Sequence, residues 1–152
     1  AYVGCGDEAG AIAEFEQVIM LSPEEPLGYN NLAYIYIDNG IYLDKAMEMA
    51  QKAVALSPGN GAFRDTLGWA YYQLGDYERA IEELTRALEL MGEEDRPWDR
   101  ALVHYHLGLA YAAESRWIKS REHLSKALDL DPSLTAARDE LKRIEKQSKV
   151  GS

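Results

Sequence analysis

Leu67-Gly68-Trp69-Ala70-Tyr71, followed by Gly75-Asp76-Tyr77-Glu78-Arg79-Ala80-Ile81-Glu82-Glu83-Leu84, is the stretch whose reading decides the fold. Leu67, Gly68 and Tyr71 form one helical stripe, and Gly75-Asp76 interrupts it. A second stripe then runs through Ala80, Ile81, Leu84, Ala87 and Leu88 at helical spacing. The stretch is not unique in the chain. Ser115-Arg116-Trp117-Ile118-Lys119-Ser120-Arg121-Glu122-His123-Leu124 echoes its second half. Leu107-Gly108 with Tyr111, and Leu32-Ala33 with Tyr36, echo its first. Segment ends also recur as Leu21-Ser22-Pro23, Leu56-Ser57-Pro58 and Leu130-Asp131-Pro132, and a proline there stops helix continuation.

The register gives separations of 35 from Ala11 to Ala46, 34 from Ala46 to Ala80, and 40 from Ala80 to Ser120. The underlying unit is therefore 34 residues, with one extra residue in the second unit and six before the fourth. A period of this length predicts a solenoid of stacked two-helix units. Small residues, Gly68, Ala80 and Ala87 with their counterparts Gly108, Ser120 and Ala127, mark where helices approach closely. Composition agrees with a core-driven fold. The chain has 152 residues, 47% of them hydrophobic, one cysteine and a net charge of −10. One cysteine forms no internal disulfide, and such a charge disfavours nucleic acid and anionic membranes. No apolar run approaches the roughly 20 residues of a membrane span.

Leu67-Gly68-x2-Tyr71, Ala80-x3-Leu84 and the proline-ended helices resemble the tetratricopeptide repeat family. The resemblance covers Ala1 to Pro132 and implies an all-α fold: a right-handed superhelical solenoid of antiparallel helix pairs with a C-terminal capping helix. The expected division is a partial repeat over 1–25, repeats over 26–60, 61–94 and 95–134, and a capping helix over 135–149. Departures are visible. The opening Trp is replaced by Tyr29, Arg64 and His104, Ala33 stands for the first Gly, and Ser115 and Ser120 weaken the turn of the last unit.

This register makes Ala1-Tyr2 the end of a helix whose start is missing, so the chain is expected to begin inside a repeat. Ala11, Ile12, Phe15, Val18 and Ile19 then form a stripe lacking most of its partner. That edge is expected to result from truncation, with a homodimer through it as the alternative. At the other end, Ser133 is expected to cap a helix to about Lys149, with Leu134, Ala137, Leu141 and Ile144 on one stripe. Val150-Gly151-Ser152 is expected to fray.

No catalytic constellation emerges. Cys5, between Gly4 and Gly6, has no partner histidine on a recognisable scaffold and reads as an incidental thiol. His104 and His106 are two apart and point to different faces, whereas chelation on one helix needs three or four. His123 could approach one of them, but no carboxylate or cysteine completes a set. Packing or surface roles are expected, with no metal and no cofactor. The acidic pairs Glu24-Glu25 and Glu82-Glu83, and Glu93-Glu94-Asp95, fall on turns or solvent faces.

In the family, a second stripe on the first helix of each unit lines a concave groove that binds peptide segments. Carried over residue by residue, that groove consists of Asn30, Tyr34, Ile37, Asp65, Trp69, Tyr72, Tyr105 and Leu109. Aromatic anchors with polar handles suit peptide hot spots. Packing between neighbouring first helices is the alternative use of the same rings, weighed equally for Tyr72. Chaperone-binding members grip a terminal carboxylate with Lys, Arg and Asn. Here the matching slots hold Asn30, Asp65 and Tyr105, without a cation. An apolar or basic segment therefore fits better than an acidic one, as Asp38 and Asp65 attract cations. Net charges of −7 over residues 1–60 and −3 over 61–152 agree with this. Pro97 is expected to open a helix with Trp98 tucked against it, an exposed Trp98 contact being the alternative.

The expected function is a non-enzymatic protein-interaction module or adaptor. The runner-up is a structural scaffold that self-assembles through solenoid ends or convex faces. Asp65-Thr66-Leu67-Gly68-Trp69 and Asn31-Leu32-Ala33-Tyr34 resemble a stretch common in bacterial repeat proteins, leaving cytoplasm and periplasm both open.

Overall fold

A computed structural model describes residues 8–150. The readings placed on Ala1-Tyr2, on Gly4-Cys5-Gly6 and on Gly151-Ser152 lie outside the described residues. Eight helices make up the described part: α1 (Glu8–Leu21), α2 (Pro26–Asp38), α3 (Leu43–Leu56), α4 (Gly61–Gln73), α5 (Tyr77–Leu90), α6 (Pro97–Ala113), α7 (Trp117–Leu130) and α8 (Thr135–Val150). Helices α2 and α3, α4 and α5, and α6 and α7 pack as antiparallel pairs, and each pair stacks on the next. The first helices α2, α4 and α6 also touch in sequence, forming the inner row of a right-handed solenoid that α8 closes.

Two of the pairs close where a side chain is missing. A Cβ added at Gly68 would lie 2.6 Å from Leu84 Cγ, and one at Gly108 would lie 2.6 Å from Leu124 Cγ. Ala80, Leu84, Ser120 and Leu124 have no exposure. Ser120 also donates from Oγ to the Gly108 carbonyl at 2.7 Å, so it ties the last pair together where alanine would only fill space.

The turns between paired helices share one hydrogen-bond pattern. Gly75 N–H donates to Tyr72 O and Asp76 N–H to Tyr71 O; Gly40 with Ile41 and Ser115 with Arg116 repeat this in their units. The left-handed residue that such a turn needs is Gly40 (φ 64°), Gly75 (φ 82°) or Ser115 (φ 58°). Ser115 accepts there a conformation that favours glycine. The extra residue of the second unit is absorbed at Tyr42, also left-handed at φ 48°, immediately before α3.

Polar pairs occupy the slot where the family carries its opening Trp. Arg64 Nη1 meets Glu83 Oε2 at 2.6 Å between α4 and α5. At the matching positions of the next unit, His104 Nδ1 lies 2.9 Å from His123 Nδ1. Glu83 is thus drawn into the pair interface, whereas the sequence places its carboxylate on a solvent face. Burial, reinforced by His123, Lys126 and Arg100, pushes the His104 pKa down to about 4, while Glu122 opposes the shift. Burial also lowers that of His123.

The ends differ in part from expectation. On α1, Ile12, Phe15 and Ile19 pack against the first core cluster but stay only partly buried, and Val18 is 39% exposed, so the stripe is incompletely covered. Met20 and Leu21 remain 83% and 75% exposed. On α8, Ala137 and Ile144 are buried, with Leu134 and Leu141 packed beside them. Ser133 turns its hydroxyl back to Asp131 Oδ1 at 2.5 Å, and Asp131 organises the turn.

This packing can be tested at two positions. Ala80→Leu overfills the close contact of α4 with α5 and is expected to lower stability by about 1–3 kcal/mol, read as a lower urea midpoint. A histidine held neutral in the fold takes up its proton on unfolding, so stability is lost as pH falls from 6.5 toward about 4. Thermal melts over that range are expected to show a shallower loss for His104→Gln than for the native chain.

Candidate functional site

The eight residues expected on the groove face fall into three environments. Ile37 is fully buried in the first core cluster and faces no groove. Trp69, Tyr72 and Tyr105 join an aromatic cluster between α4 and α6. The Trp69 ring stacks on Tyr72 at 4.8 Å and on His106 at 4.2 Å, with interplanar angles of 7° and 14°. Tyr105 approaches His106 at 5.8 Å and packs against the cluster that includes α8, while Leu109, one turn further, is half-buried. The remaining three, Asn30, Tyr34 and Asp65, line a single cleft.

His106 explains the cluster. Its Nδ1 lies 2.7 Å from Asp65 Oδ1, both residues being buried. The pair joins α4 to α6, and one oxygen of Asp65 is therefore engaged within the fold. His104 and His106 do point to different faces: one toward α7, the other toward α4. Among the described residues, no three His, Cys, Asp or Glu side chains group as a metal site.

The cleft has a volume of about 520 Å3. Phe15, Asn30, Tyr34 and Asp65 form one part of its lining, and Trp98 with Asp99 another. Pro97 opens α6 as expected, but Trp98 is 55% exposed, so the ring is not tucked against its helix. The six-residue expansion brings it to the cleft. That expansion was the sequence signal available for Trp98; nothing local signalled the partnership of Asp65 with His106, which are 41 residues apart. Burial, with Asp38 and then Asp65 adding, pushes the Tyr34 pKa up to about 12. Tyr72 and Tyr105 are raised too, first by burial, with Glu140 of α8 contributing to both. All three phenols therefore remain hydrogen-bond donors at neutral pH.

Known proteins share this arrangement of helices. Tetratricopeptide repeat models match residues 43–103 and 101–134. The chain belongs to the tetratricopeptide repeat family. Interferon-induced protein with tetratricopeptide repeats 2 of Cricetulus griseus is 25% identical over 148 residues, covering 94% of this chain and 29% of that protein. The chain spans less than two thirds of the length of the curated relatives it matches first. Among solved structures, the Cut9–Hcn1 hetero-tetramer of the APC/C aligns with a TM-score of 0.85 at 22% identity, covering 95% of this chain and 28% of that one. The first tetratricopeptide repeat domain of Spaghetti (RPAP3), bound to the HSP90 peptide SRMEEVD, aligns with a TM-score of 0.70 at 20% identity, covering 82% and 94%. These likenesses establish the shared fold. Among the described residues, no helix of this tetratricopeptide repeat chain is long and apolar enough to cross a membrane.

Removing the Asp65 carboxylate strands a buried imidazole. Asp65→Ala is expected to cost about 1–3 kcal/mol in urea unfolding. A double-mutant cycle with His106→Ala is expected to return a coupling of about 0.5–3 kcal/mol.

Proposed function

We propose that this chain is a non-enzymatic interaction module that holds an extended segment of a partner protein along its inner helices. The observation that carries the reading is the cleft: half-buried Tyr34, exposed Trp98 and polar Asn30 converge on one concavity large enough for side chains. Tetratricopeptide repeat domains are interaction modules, and the RPAP3 domain noted above holds a peptide, which supports the same use here. Affinity comes from burying partner side chains, less the cost of ordering the segment. An apolar or basic segment is favoured over an acidic one, because the inner row carries Asp38 and Asp65 and no cation in the slots that grip a terminal carboxylate.

A second reading, a scaffold that self-associates through its end, is supported by exposed Met20 and Leu21 on α1. Affinity capture with the native chain beside Tyr34→Ala and Met20→Asp/Leu21→Asp separates the two, once each variant shows an unchanged melt. Truncating a central anchor typically costs about 2 kcal/mol or more. A partner held by the native chain and released by Tyr34→Ala is the expected result. Equal capture by both would remove the cleft as the working surface. A size by sedimentation that drops only in the α1 variant would favour the scaffold.

A further inference from the structure

The lining of the cleft is acidic, its carboxylates being paired from outside the lining by His106 and Arg96, and one of its polar atoms lacks a hydrogen-bond donor among the described residues. Asp65 and Asp99 contribute carboxylates, and no Lys, Arg or His is present among the described lining residues. Asn30 Oδ1, in the same wall, is buried and meets no hydrogen-bond donor among the described residues. Phe15, Tyr34 and Trp98 add aromatic surface. Such a lining is suited to a group that brings positive charge and N–H donors.

The chain itself shows which group suits the Trp98 side. Arg96 places its guanidinium 5.6 Å from the centre of the Trp98 ring and its Nε 2.8 Å from Asp99 Oδ2. This contact is exposed, where an ion pair contributes little and exchanges readily. A planar guanidinium stacks on an indole and offers five donors in a fixed fork, which a lysine ammonium does not.

We infer that the cleft is a receptor for an arginine side chain of the partner segment, stacked on Trp98 and paired with Asp99, with Asp65 and Asn30 buried deeper in the same lining and Arg96 competing in the free chain for Trp98 and Asp99. This rests on the reading of the cleft as the partner-binding surface and names the chemistry it selects. Arg96 is then a built-in competitor: its removal frees both the ring and the carboxylate.

The test uses the peptide acetyl-Ala-Leu-Arg-Leu-Ala-amide and its citrulline analogue, which keeps the shape but loses the charge. Binding to the full chain is followed by NMR, first at the indole signal that Trp98→Ala removes and, for the variants, at the Tyr34 ring. The arginine peptide is expected to bind about threefold more tightly than the citrulline peptide, the range of a cation–π contact at an exposed ring. Asp99→Asn and Trp98→Ala are expected to erase that preference, and Arg96→Ala to strengthen binding of the arginine peptide. Both acid and ring are on the surface, and unchanged melts verify the fold. Equal binding of the two peptides, or weaker binding to Arg96→Ala, would overturn the inference. If that happens while Tyr34→Ala still releases the captured partner, the cleft remains the partner surface and only its selectivity for arginine fails.

Discussion

The contact on which this solenoid depends is the approach of Leu84 to Gly68 and of Leu124 to Gly108. Because neither glycine has a Cβ, each leucine reaches the backbone of the facing helix. Ala80 and Ser120, both without exposure, keep the same interface thin. The paired helices are thereby set close enough to bury their shared apolar faces, and the same contact in successive units gives successive pairs a similar geometry. Everything on the inner row inherits its position from that repetition.

Around this apolar contact the chain uses polar pairs for registration. Arg64–Glu83 and His104–His123 occupy equivalent positions in consecutive units. A partly buried ion pair adds little net stability, since desolvation offsets much of the attraction. Its requirement for a matched partner still disfavours sliding one helix along the other. The imidazole pair acts in the same way with neutral groups, and is sensitive to acid as a result.

The inner row divides into a closed part and an open part. Asp65–His106 and the Trp69 stack join α4 to α6, with α8 adjoining at Tyr105. Nearer the N-terminal side, the first turn of α6 carries Trp98 and Asp99 at the cleft. Aromatic residues in the row thus sit in two different settings. Those with aromatic or imidazole neighbours on the adjoining helix stabilise the stack, while Tyr34 and Trp98 line open space.

Much of this was legible in the residues themselves. Periodicity, turn glycines and helix-ending prolines determined the helical segments and the pairing of neighbours, because they act through local backbone preference and the spacing of one helical face. The capping stripe Leu134, Ala137, Leu141 and Ile144 was readable for the same reason. What only the tertiary structure decided was which inner-row residues stay open. Ile37 and Trp98 are both large apolar side chains, yet one is fully buried and the other more than half exposed. That difference depends on the distance between successive pairs and on how far the first turn of α6 extends beyond its neighbour, neither of which is encoded by spacing along one helix. The pairing of Asp65 with His106 belongs to the same class: it exists because two units stack, and no reading within a unit contains it.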